Sequence, residues 1–156
     1  MSAYQRTLLI AVDGSINSDQ AFEFYCKHVK YPGDRILLFH YMDAVSTSGS
    51  AQDCLDELYA VKDRHICGLK KLFESKAKSY QINPNQMLFQ VSTEGSDPGK
   101  SICLFVKANP QINFIVIGCR GLGKIKKAIL GSVSEYVTMH SGIPVLIVPA
   151  SKSNND

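Results

Sequence analysis

No C-x-x-C pair occurs anywhere in the 156 residues. The five cysteines, at Cys26, Cys54, Cys67, Cys103 and Cys119, are odd in number and scattered. That argues against a disulfide framework and for a reducing compartment. No set of histidines and cysteines has the spacing of a zinc site. There is no run of five like charges, and a formal net charge of +3 is too small to mark a nucleic-acid binder. No apolar run approaches the length of a membrane span. The opening, MSAYQRTLLIAVDGS, has only a short apolar run before Asp13 and Gly14, so it does not read as a signal peptide. The expectation is a cytoplasmic protein with neither nucleic acid nor membrane as partner.

The better-known phosphate loops and nucleophile turns are also missing. G-x-x-x-x-G-K-[ST] does not occur, which excludes a P-loop, and neither does the dinucleotide pattern G-x-G-x-x-G. Without G-x-S-x-G there is no nucleophile elbow for a hydrolase triad. His28, His40, His65 and His140 are far apart, and each is better explained by packing or by the surface than by catalysis. Paired carboxylates for general acid–base work are not evident. Cys119 reads as a small residue packing a turn, with reactivity as the alternative.

What is present is a globular composition. Hydrophobic residues make up 45% and charged residues 20%, which excludes a disordered chain. The length suits one domain, residues 1–150, followed by a polar tail at 151–156. Thr7–Val12, Ile36–Phe39 (continued by His40 and Tyr41), Met87–Val91, the run ending at Ile117, and Pro144–Val148 read as strands. Between them, apolar residues recur at helical spacing: Phe22, Tyr25, Cys26 and Val29; Ile66, Leu69, Phe73, Ala77 and Tyr80; Ile102, Phe105 and Val106. Ser15 or Ser18 caps the first helix, and Asp97 followed by Pro98 starts the third. Such alternation implies an α/β fold with a parallel sheet and helices on both faces.

The richest stretch is Phe114–Val137, FIVIGCRGLGKIKKAILGSVSEYV. It reads as a buried strand, a glycine-bearing loop and the start of a helix. Gly118, Gly121, Gly131 and Ser132 form the pattern G-x2-G-x9-G-S. Gly118 stands where the chain is expected to leave the sheet in a sharp turn. Gly121 and Gly131 allow close backbone approach or a positive φ. Ser132 stands where a helix begins, and a helix start favours an anion. Arg120, Lys124, Lys126 and Lys127 add cations to the same loop, either to offset phosphate charge or simply as a solvated basic loop. Asp13, ending the first strand, suits a ribose hydroxyl or a magnesium ion held with phosphates; its plain alternative is a turn-capping carboxylate.

This segment, with AVDGS near the start and IPVLIVP near the end, resembles the universal stress protein family over nearly the whole chain. The resemblance implies an open five-stranded parallel sheet of order 3-2-1-4-5, Rossmann-like and of the adenine nucleotide alpha hydrolase type. It implies ATP or AMP as ligand, with magnesium, in the crevice where strands one and four diverge. Carried onto this chain, the nucleotide site comprises Ala11, Val12, Asp13, Tyr41, Ile117, Gly118, Arg120, Gly121, Gly131, Ser132 and Val133. Ala11 and Val12 flank the base, and the Tyr41 backbone reads it, where the family usually carries a small aliphatic residue. The Tyr41 ring itself is expected to stack on the base or to crowd it. Gly118 meets the ribose, and Gly121, Gly131, Ser132 and Val133 hold phosphates. The resemblance further implies a ligand-dependent homodimer acting in stress response, paired through the last strand at Val145, Leu146 and Ile147. A bare apolar edge strand suits such pairing. Hydrolysis is expected to be slow at most. A weak ATP-hydrolysing enzyme and a ligand-free interaction module are the alternatives.

Overall fold

The computed structural model describes residues 5–44, 52–119 and 130–151, apart from the Asp53 side chain. Five strands and four α-helices alternate: β1 Thr7–Ala11, α1 Ile16–Phe24, β2 Arg35–Tyr41, α2 Gln52–Ser79, β3 Met87–Ser92, α3 Pro98–Ala108, β4 Ile112–Cys119, α4 Ser132–His140 and β5 Val145–Pro149. All four strand pairings are parallel, as the alternation of elements predicts, and the order is β3-β2-β1-β4-β5, as the family resemblance implies.

Period-two alternation splits the core between the two sheet faces. Leu8 and Ile10 point to one side with Phe22, Tyr25, Leu69 and Phe73 of the α1–α2 layer. Leu9 points to the other with Ile102, Val106 and Val137 of the α3–α4 layer. The central strand β1 is therefore buried on both faces, which explains its unbroken apolar run.

Local signals place the helix starts. The Ser15 hydroxyl accepts from Ser18 N–H at the head of α1. Asp97 accepts from Lys100 N–H at the head of α3, with Pro98 in its first turn. Gly142, at φ +72°, follows the end of α4. Past Phe24, α1 widens into a π-helical turn, Tyr25–Val29. This carries the Tyr25 hydroxyl to the buried Asp34, 2.9 Å away. From the sequence alone, Pro32, Gly33 and Asp34 read only as the turn that ends this helix. Asp34 is a buried anchor, bound in a fork by Arg6 Nε at 2.8 Å and Nη2 at 2.6 Å.

Beyond β5 the chain is tied back to α1. Ser151 N–H donates to Gln20 Oε1, and Gln20 Nε2 donates to Ser151 Oγ. Residues 152–156 of the expected polar tail lie outside the described residues.

Candidate functional site

Strands β1 and β4 are neighbours whose following helices pack on opposite faces, so their C-terminal ends open a crevice. Four elements reach it: the turn after β1, the end of β2, the end of β4 and the head of α4.

The turn after β1 is built by its own side chains. Asp13 Oδ1 accepts from Ser15 N–H at 2.9 Å, and Asp13 N–H donates to Ser18 Oγ. Gly14 takes φ +82° to complete the turn. Asp13 is exposed. Partial desolvation works to raise its pKa, but the hydrogen bonds from Ser15 and Ser18 win and hold it below the usual carboxylate range. It is thus an anion at neutral pH. One oxygen serves the turn, so both sequence readings of Asp13 remain chemically open.

Val12 and Ile117 are buried in the two cores. Neither side chain is available to a ligand. The Val12 backbone is also fully engaged: its N–H donates to Phe39 C=O at 2.8 Å, and its C=O accepts from His40 Nδ1 at 2.8 Å.

The end of β2 differs. The β1–β2 ladder stops at the Ala11–Phe39 pair. Met42 N–H turns the other way, to Ser92 C=O of β3. Peptides alternate along a strand, so the N–H and C=O of Tyr41 point back toward β1, past its end. Among the described residues they find no backbone partner there. The Tyr41 ring is engaged elsewhere. It packs on the α3–α4 side, and its hydroxyl donates to Asp43 Oδ1 at 3.1 Å, with Gly95 C=O at 3.4 Å. The expected stacking or crowding by this ring is therefore not what the structure has. The missed signal was local: Asp43, two residues on, offers the phenol an acceptor.

Gly118 is not in a turn. It lies one residue inside β4, paired with Val148, because the β4–β5 ladder continues to Cys119 and Pro149. Its missing Cβ answers a different need. A Cβ there would lie 2.2 Å from the Asn17 carbonyl oxygen of α1. Gly118 lets the first turn of α1, and with it the Asp13 turn, settle against β4.

Gly131, Ser132 and Val133 form the head of α4. Gly131 is the N-cap, with extended backbone at φ −63° and ψ 152°, so no positive φ is needed. Ser132 is the first helical residue and is exposed. Among the described residues no side chain caps this helix, unlike α1 and α3. The Ser134 hydroxyl instead donates back to Gly131 C=O. Free N–H groups at a helix start are an anion site. Among the described residues a Cβ on Gly131 would meet only Ser134 Oγ, at 3.7 Å. Arg120 and Gly121, with Lys124, Lys126 and Lys127, lie outside the described residues.

Among the described residues no group of three or more His, Cys, Asp or Glu is placed to hold a metal. A magnesium ion beside Asp13 would take its remaining ligands from phosphate oxygens and water, as this hard cation commonly does. The exposed Asp13 carboxylate fits that mode.

The sequence model of the universal stress protein family matches residues 5–149. A universal stress protein A-like protein of Arabidopsis thaliana is 38% identical over 145 residues, covering 86% of this chain and 79% of its own. The fold is similar to that of universal stress protein UspA from Lactobacillus plantarum, with a TM-score of 0.70 at 18% identity, over 92% of this chain and 97% of that one. It is also similar to a universal stress protein family protein from Arabidopsis thaliana solved with AMP bound, with a TM-score of 0.66 at 19% identity, covering 94% and 93%.

Proposed function

This chain belongs to the universal stress protein family, and from that premise we propose that it binds an adenine nucleotide, ATP or AMP, at the crevice between the Asp13 turn and the head of α4. The observation that carries the reading is the early end of the β1–β2 ladder, which leaves the Tyr41 N–H and C=O at the crevice without a backbone partner. Adenine offers an acceptor at N1 beside a donor at its 6-amino group, which complements one N–H and one C=O. Guanine offers the reverse pair at the same atoms. The Asp13 carboxylate takes the ribose or a phosphate-bound magnesium. The uncapped N–H groups of Ser132 and Val133, and the Ser132 hydroxyl, take phosphate oxygens. Arg120 and Gly121 belong to the same reading through the sequence pattern. A similar fold with AMP bound supports the choice of ligand.

The residues present supply binding and orientation. Among the described residues no general base faces the crevice in the way a fast hydrolase needs, and turnover is expected to be slow at most. We read the nucleotide as the signal that sets a homodimer in a stress response.

The test is direct. Protein purified without added nucleotide, then denatured, is expected to release stoichiometric ATP or AMP by mass spectrometry, or to bind added ATP by calorimetry. An empty protein that also ignores ATP with magnesium overturns the reading and favours an interaction module.

The homodimer is assigned to β5, an edge strand whose Val145, Leu146 and Ile147 are only half-buried. Val145→Lys combined with Ile147→Lys is expected to give a monomer mass by light scattering, with circular dichroism confirming the fold. A persistent dimer would remove β5 from the interface.

A further inference from the structure

The sheet could have made one more rung between β1 and β2. Val12 N–H already donates to Phe39 C=O at 2.8 Å. In a regular parallel ladder the next bond is Tyr41 N–H to Val12 C=O. It is not made, and the ladder ends at Ala11–Phe39. The Val12 carbonyl is taken instead by the His40 side chain, through Nδ1 at 2.8 Å.

His40 is well placed to hold that carbonyl. It is 6% exposed, and its ring lies against His65 of α2, with centroids 5.5 Å apart, and against Phe89 of β3 at 6.5 Å. Because the acceptor is a carbonyl, Nδ1 carries the hydrogen, and in the neutral ring Nε2 is the bare nitrogen. A buried donor fixed by packing outcompetes a strand-end amide, which has water or a ligand as an alternative partner.

We propose that His40 is a positioning residue for the nucleotide base: by capping the Val12 carbonyl it ends the ladder one rung early and keeps the Tyr41 N–H available to the acceptor atom of adenine. His40 itself does not touch the base. It selects which of two partners the Tyr41 amide has, the neighbouring strand or the ligand. The inference rests on the nucleotide reading above, but its core, the competition for Val12 C=O, exists without any ligand.

Two variants test it. His40→Leu removes the donor, which frees the Val12 carbonyl to accept from Tyr41 N–H. His40→Asn keeps a side-chain N–H at the distance of Nδ1. Amide hydrogen exchange is expected to find Tyr41 unprotected in the wild type, protected in His40→Leu and unprotected again in His40→Asn. ATP affinity is expected to fall about tenfold in His40→Leu, the worth of one hydrogen bond, and to recover in His40→Asn. The preference for ATP over GTP falls with it. A Tyr41 amide already protected in the unliganded wild type overturns the proposal even if the leucine variant does not fold. So does a loss shared equally by ATP and GTP, which would mark a merely structural role. If wild-type protein binds no nucleotide, the functional reading fails, and Tyr41 exchange in the three proteins still decides whether His40 controls the ladder.

Discussion

Asp34→Ala is expected to cost about 3 kcal/mol of stability or more, measured by urea unfolding. Few single changes in this chain remove as much. The Asp34 carboxylate is 2% exposed, and the Arg6 guanidinium that binds it in a fork is 29% exposed. Its Oδ2 also accepts from the Tyr25 hydroxyl and from Tyr31 N–H, each at 2.9 Å. Arg6 in turn lies over the rings of Tyr31 and Phe114 and donates to Val29 C=O. One carboxylate thus joins Arg6 before β1, the start of the π-helical turn at Tyr25 and the start of β2. Truncating it leaves a buried hydroxyl, an amide and part of a guanidinium without their acceptor.

The same site sets a pH dependence. Desolvation works to raise the Asp34 pKa, but Arg6, Tyr31 N–H and the Tyr25 hydroxyl outweigh it, and the folded value lies below the ordinary 3.8. A depressed folded pKa contributes stability that is fully present above the unfolded value and is lost as pH falls through the folded one. Wild-type protein should therefore lose stability from this group only below about pH 4. The Asp34→Ala variant, already without it, should show a shallower acid limb. An equally steep limb in the variant would assign the acid sensitivity to other carboxylates.

The contrast between Asp34 and Asp13 explains how far the sequence can be read. Apolar patterning locates the five strands and the first three α-helices because burial on two sheet faces demands it. Asp13 stood out through its place at the end of an apolar run. Asp34 looked like ordinary turn punctuation after Pro32 and Gly33, since its partner Arg6 is 28 residues away and nothing local connects them. His40 reads from the sequence as a packing or surface histidine for the same reason: its meaning lies in the Val12 carbonyl, which only the fold brings near. Tyr41 reads from the sequence as a backbone partner of the base whose ring stacks on the base or crowds it, and in the structure the ring hydroxyl is engaged with Asp43. The backbone role follows from strand position, whereas the ring's direction depends on Asp43 and on the loop at Gly95.

The glycines divide in a way their spacing does not reveal, and the largest functional effect should follow that division. Gly118→Ala places a Cβ 2.2 Å from the Asn17 carbonyl oxygen and 2.6 Å from its carbon. Both are backbone atoms, so the head of α1 must shift. The expected cost is about 1–3 kcal/mol, with ATP binding weakened because the Asp13 turn moves too. Gly131→Val meets no such wall. Its nearest neighbour among the described residues is a serine hydroxyl at 3.7 Å, and φ −63° with ψ 152° suits any L-residue. Valine is a poor N-cap, so about 1 kcal/mol of stability should go. ATP affinity, however, should fall about 100-fold, because the branched side chain occupies the space before the helix where the N–H groups of Ser132 and Val133 would meet phosphate. Calorimetry with ATP and with adenosine separates the two arms: Gly131→Val should spare adenosine and lose ATP, whereas Gly118→Ala should weaken both. If Gly131→Val binds ATP as the wild type does, the phosphates do not lie at the head of α4, and the glycine there serves only the cap.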